Sequence, residues 1–136
     1  MIAKMLNRAV EKGKMEKADA DAAMGRIVPV PSIKEIGSAQ LIIEAATENP
    51  DIKIEILKSV DPLVEEGGIL ATNTSSISIT QLAAATDCPE RFIGMHFFNP
   101  APVMPLVEII RGEKTSDETV ATAVAYAKAI GKTPIV

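Results

Sequence analysis

The chain has only one cysteine, Cys88, and one histidine, His96. A lone cysteine makes no intramolecular disulfide and suits a reducing compartment. One Cys with one His is also too small a ligand set for a conventional zinc site, so no metal is expected. Positive charge is scarce: 14 Lys and Arg stand against 18 Asp and Glu, for a net charge of −4. No cluster of Lys and Arg forms a stripe that would attract a phosphate backbone, and nucleic acid is not an expected partner. No apolar run approaches the roughly 20 residues that cross a bilayer, so no membrane partner is expected. Nor does the N-terminus show an apolar run followed by a small-residue cleavage site, which leaves secretion unsupported and a cytoplasmic location as the expectation. The 136 residues, 47% apolar and 24% charged, are ordinary for a globular protein with one domain's worth of core.

Helix starts are missing where they would be expected. Ile2, Met5, Leu6, Ala9 and Val10 repeat at helical spacing and Gly13 supplies a stop, yet Met1 lies inside the apolar period with no capping residue before it. At the other end, Thr133-Pro134-Ile135-Val136 reads as the opening of a strand. Together the two ends suggest a piece of something longer.

Between them strand and helix patterns alternate. Residues 41–46 form an apolar run without alternation, the mark of a strand buried on both faces. Asn49-Pro50 caps a helix whose stripe is Ile52, Ile56, Val60 and Leu63, stopped by Gly67-Gly68. A second strand follows at 68–71. Ser78 with Gln81 makes a capping box for a short helix, as Thr115 with Glu118 does for a helix over 119–130 stopped by Gly131. Strands are expected at 91–98 and 106–110. This rhythm predicts an α/β fold of the Rossmann type, a doubly wound and largely parallel sheet flanked by helices.

One connection lacks the helix a parallel crossover needs. Asn99-Pro100-Ala101-Pro102-Val103-Met104-Pro105 is too short and too rich in proline, so the strands on either side should run antiparallel. His96 and Glu108 sit six positions either side of Pro102, and such a fold-back brings them close. Glu108, in Leu-Val-Glu-Ile-Ile, is either buried and hydrogen-bonded or on the opposite face from Val107 and Ile109. A carboxylate that accepts one ring N–H fixes the imidazole's tautomer and frees the other nitrogen to act as a base. Two further clusters lie at expected strand ends. Thr72-Asn73-Thr74-Ser75-Ser76 reads as a ligand-binding cluster or as a turn with a helix cap. Glu44-Ala45-Ala46-Thr47-Glu48-Asn49, with Lys53 one turn on, reads as a ribose or nicotinamide rim or, more economically, as a solvated helix N-terminus.

The run Met95-His96-Phe97-Phe98-Asn99-Pro100-Ala101-Pro102-Val103-Met104, followed by Leu106-Val107-Glu108, resembles the signature of 3-hydroxyacyl-CoA dehydrogenases. Ala71-Thr72-Asn73-Thr74-Ser75-Ser76 and Ile43-Glu44-Ala45 with Glu48-Asn49 match in the same order, and the bacterial 3-hydroxybutyryl-CoA dehydrogenases look most similar. The resemblance implies oxidation of the C3 hydroxyl of a 3-hydroxyacyl-CoA to a ketone, with hydride passed to NAD. Carried over by position, His96 is the base and Glu108 its partner. Ser75 meets the substrate oxygen, and Asn73 and Asn99 lie near the nicotinamide and substrate. Ala45, Glu48 and Lys53 line the NAD site, and Lys12 or Lys14 meets the CoA moiety.

The sequence departs from the family by lacking its first strand, its Gly-x-Gly-x-x-Gly turn and its second strand, together with the C-terminal helical domain that mediates homodimerisation. Residues 1–136 are thus expected to be an incomplete NAD-binding domain, with little turnover alone and with open sheet edges able to self-associate. A non-catalytic module that binds acyl-CoA or a partner chain is the rival from another class. A short-chain β-hydroxyacid dehydrogenase, which relies on a catalytic Lys, fits the His–Glu pairing less well.

Overall fold

The computed structural model describes residues 1–136. The chain divides into two compact units, Met1–Glu35 and Ile36–Val136. An exposed connection carrying Pro29 and Pro31 separates the helices of the first unit from the sheet of the second, and neither proline can donate to a ladder.

In the first unit, α1 (Ile2–Glu11) ends as its pattern predicts. Gly13 takes φ +71, its N–H bonds Val10 O, and Lys14 N bonds Ala9 O at 2.9 Å, the paired bonds of a Schellman stop. A second helix, α2 (Lys17–Arg26), follows in a stretch where no apolar period announces it. Lys12 and Lys14 are exposed at the end of α1.

The second unit is built on a five-stranded sheet in the order β1-β2-β3-β4-β5, from β1 (Ala39–Glu44), β2 (Val64–Thr72), β3 (Phe92–Phe97), β4 (Leu106–Arg111) and β5 (Thr133–Ile135). All neighbours are parallel except β3 and β4, which run antiparallel as the proline-rich connection demands. This is the mostly parallel, Rossmann-like sheet expected. Its helices are α3 (Pro50–Val60), α4 (Ile79–Ala83) and α5 (Asp117–Ala129).

The faces follow from the alternation of side chains along each strand. Ile69, Ala71, Ile93, Met95, Val107 and Ile109 point to one face, where Ala123 and Ala127 of α5 complete a buried cluster. Ile42, Glu44, Leu70, Thr72, Phe92 and Gly94 point to the other, which α3 and α4 cover. A Cβ on Gly94 would stand 2.8 Å from Ile79 Cδ1, so α4 lies directly on β3.

Several local expectations need correction. β1 is not buried on both faces; it is the last strand of the sheet, and Ile43 is 38% exposed. The inward stripe of α3 is Lys53, Leu57 and Val60, one step round from Ile52 and Ile56, because Lys53 has a buried acid to meet. Gly67 and Gly68 do not stop that helix. It ends at Val60 before Asp61-Pro62, and both glycines lie inside β2, where the pairing shifts from Ala39↔Val64 to Leu41↔Ile69. The cap of α5 is Ser116, which accepts from Thr119 N, not Thr115. Thr115 Oγ1 instead accepts from Gly112 N and donates to Phe92 O, each at 2.8 Å.

Candidate active site

His96 stands at the carboxyl end of β3, directly opposite Glu108 on β4. Its Nδ1 lies 2.9 Å from Glu108 Oε1. The antiparallel register of β3 and β4 makes this contact, since Ile93↔Arg111 through Phe97↔Val107 fix which side chains share a face. Glu108 is not a buried charge: its side chain is 43% exposed, against 20% for His96. Of the two sequence readings the second holds, with Val107 and Ile109 on the α5 side and Glu108 on the opposite face, at a half-exposed position. Phe98 flanks the imidazole with ring centroids 5.0 Å apart. A carboxylate on Nδ1 keeps that nitrogen protonated and leaves Nε2 as the basic one.

The rim beside this pair is tied together from beneath. Glu44 ends β1 and is buried, as are Lys53 of α3 and Thr72 of β2. The Lys53 ammonium contacts Glu44 Oε2, which also accepts from Thr72 Oγ1 at 2.7 Å, while Glu44 Oε1 accepts from Ala46 N at 2.8 Å. A solvated helix N-terminus would not look like this: Lys53 is 0% exposed. Burial pushes the Glu44 carboxyl up, but the bonds from Lys53, Thr72 and Ala46 outweigh it and hold the group below the ordinary glutamate value of 4.5.

Asn73 joins three strands. Its N–H donates to Glu44 O, its own carbonyl accepts from Lys53 Nζ at 3.4 Å, and its Oδ1 accepts from Phe97 N at 2.9 Å, one residue beyond His96. Thr74 Oγ1 donates to Glu48 Oε2 and accepts from the N–H groups of Ser76 and Ile77, so the cluster after β2 is partly a built turn. Ser75, Asn99, Ala45 and Glu48 are exposed on the same carboxyl edge. Lys53, expected to line the cofactor site, lies sealed under the rim with its charge directed at Glu44. Lys12 and Lys14 belong to the other unit. Sequence reasoning missed the support given by Thr72 and Thr74; a Thr closing an apolar strand was the available signal. Burial and the neighbouring Glu90 carboxylate push the Cys88 thiol up.

The carboxyl edge of an open, mostly parallel sheet, which here bears a His–carboxylate pair and exposed amide and hydroxyl groups, is where Rossmann-type domains bind their ligands. Residues 1–136 match the family model described as 3-hydroxyacyl-CoA dehydrogenase, NAD binding domain, and the chain belongs to that family of NAD-dependent enzymes. It is 50% identical over 133 residues to the fatty acid oxidation complex subunit alpha of Psychrobacter sp. (strain PRwf-1), covering 98% of this chain and 18% of that protein. The chain thus spans about a fifth of the length of such relatives. A crystal structure of (S)-3-hydroxybutyryl-CoA dehydrogenase from Ralstonia eutropha superposes with TM-score 0.93 at 53% identity, over 98% of this chain and 47% of that one. The 3-hydroxybutyryl-CoA dehydrogenase of Escherichia coli K12 gives TM-score 0.94 at 40% identity, over 98% and 28%.

The residues present fit the nicotinamide end of NAD. A carboxamide needs a donor and an acceptor, and the exposed residues Ser75 and Asn99 carry both on the edge where β1, β2 and β3 end, beside the exposed Ala45.

Proposed function

We propose that this chain supplies the proton-transfer side of 3-hydroxyacyl-CoA oxidation, with His96 as general base. The observation that carries the proposal is the 2.9 Å contact between His96 Nδ1 and Glu108 Oε1 on facing strands. Nε2 takes the proton from the substrate's C3 hydroxyl, and Glu108 steadies the imidazolium that results. NAD, when bound at this edge, would supply the hydride acceptor for C3. Ser75 hydrogen-bonds the substrate oxygen, and Asn99 reaches the nicotinamide and substrate from the loop after β3. Ala45 and Glu48 meet the cofactor directly, while Lys53 and Asn73 hold the rim in place. Lys12 and Lys14 carry the charge suited to CoA phosphates. Likeness to the hydroxybutyryl-CoA enzymes favours a short acyl chain, and a cytoplasmic setting suits such a substrate.

NADH oxidation driven by acetoacetyl-CoA tests the proposal. Residues 1–136 alone should turn over little; carried in a chain of the relatives' full length, H96Q should lower kcat on the order of 10²–10⁴-fold, the usual worth of a general acid–base group, and E108Q should lower it by less. Turnover that H96Q leaves intact would remove His96 from the reaction. A second reading, association of this chain through a strand, is favoured by one observation: β1 is an edge strand of this sheet and its Ile43 is exposed.

A further inference from the structure

The connection between His96 and Glu108 has too few donors to hold itself. Pro100, Pro102 and Pro105 have no N–H, so residues 99–105 present more acceptors than donors. Two of the donors that remain, Val103 N and Met104 N, both turn onto Pro100 O, at 3.0 and 2.9 Å. Three of the other carbonyls are met from outside. Lys132 Nζ donates to Ala101 O at 2.5 Å and to Met104 O at 2.7 Å, and Thr133 N donates to Pro105 O at 2.7 Å.

The end of α5 aims this lysine. Gly131 takes φ +78, its N–H bonds Lys128 O, and Lys132 N bonds Ala127 O at 2.9 Å, a Schellman stop that turns the chain back toward the loop. Ammonium suits the task because it offers three donors about one point and no acceptor. No carboxylate pairs with Lys132. Its charge is directed at main-chain oxygens, and such charge-assisted bonds are the stronger kind.

We propose that Lys132 is a positioning residue that clamps the proline-rich loop and thereby sets Asn99, while the His96–Glu108 contact needs no such help. The β3–β4 ladder already fixes that contact through five paired positions. Asn99 lies beyond the ladder, in the segment whose carbonyls Lys132 holds. The consequence for ligands rests on the function proposed above; the clamp itself does not.

The test compares wild type with K132M, K132R and H96Q. In K132M, which loses both of the Lys132 bonds, the amides of Val103 and Met104 should exchange at least about tenfold faster, while those of β3 and β4 hold. The tautomer of the single imidazole, read from its ¹⁵N shifts, should not change. NADH affinity should fall about fivefold in K132M, and K132R, which keeps charge and donors, should stay near wild type on every measure. Unaltered exchange at Val103 and Met104 would overturn the clamp, as would equal acceleration throughout β3 and β4. A loosened loop with NADH affinity intact would overturn its bearing on Asn99. Turnover unaffected by H96Q would strike the proposed function instead and leave the clamp standing on the exchange rates.

Discussion

Lys53 shows how one buried charge can organise a rim without facing solvent. Its ammonium, the Glu44 carboxylate and Thr72 Oγ1 satisfy one another where β1 and β2 end, and Asn73 carries that order across to Phe97. Removing one member leaves the other as an uncompensated buried charge. K53M should therefore lose about 3–5 kcal/mol in urea unfolding, whereas E44Q/K53M, which buries no charge, should lose less. A double variant as unstable as K53M would show that packing, not charge, sets the cost. The pH dependence has a definite sign. Glu44 titrates below its ordinary value of 4.5, so its ionised form stabilises the fold in full above that value, and the contribution fades as pH falls through the lowered one. The stability gap between wild type and E44Q should be flat above about pH 5 and narrow below about pH 4. A gap that widens on acidification would contradict the assignment.

At the scale of elements, the site depends on how closely α4 settles on β3. Gly94 leaves room for Ile79: an added Cβ would lie 2.8 Å from Ile79 Cδ1 and 3.0 Å from Ile110 Cβ. G94A should cost about 1–3 kcal/mol by overpacking, visible as an earlier urea midpoint at unchanged slope. A neutral G94A would mean that α4 can move away freely. The antiparallel pair that carries His96 and Glu108 was legible from three prolines in seven residues, because no helix fits there and the turn fixes the register. The face of Glu108 was open between two readings, since Leu-Val-Glu-Ile-Ile alternates whichever way it is buried. The burial of Lys53 was not legible, because a lysine one turn into a helix is ordinarily solvated and nothing local reveals that Glu44 points at it across the layer. Thr115 and Ser116 are adjacent and equally able to cap, so only the bond from Thr115 to Phe92, distant in sequence, decides between them. Lys132 was invisible for the same reason: its partners lie 28 and 31 residues away.

For the molecule as a whole, the two edges of the sheet differ in kind. β5 is a three-residue strand with Pro134 in its middle, and proline there removes the donor a further strand would need. β1 has six residues, Ala-Gln-Leu-Ile-Ile-Glu, with no proline and no charge before Glu44. Its outer backbone groups have no strand beside them, and Ile43 adds an exposed apolar side chain. Such an edge templates pairing, and natural sheets usually blunt it with lysine, proline or a bulge. The irregularity between Ala39 and Leu41 disturbs only the start of β1, leaving Leu41 to Glu44 in regular register with β2. Association should therefore be concentration-dependent in sedimentation velocity and run through β1, not β5. I43K puts the usual natural defence at the exposed position and should weaken association about tenfold, equivalent to about 1.4 kcal/mol. A matching lysine at Ile135, also exposed but on the proline-bearing strand, should change little. Equal effects at the two edges would point to general hydrophobic clustering, and a monomer at every concentration would show the β1 edge to be protected without a partner strand.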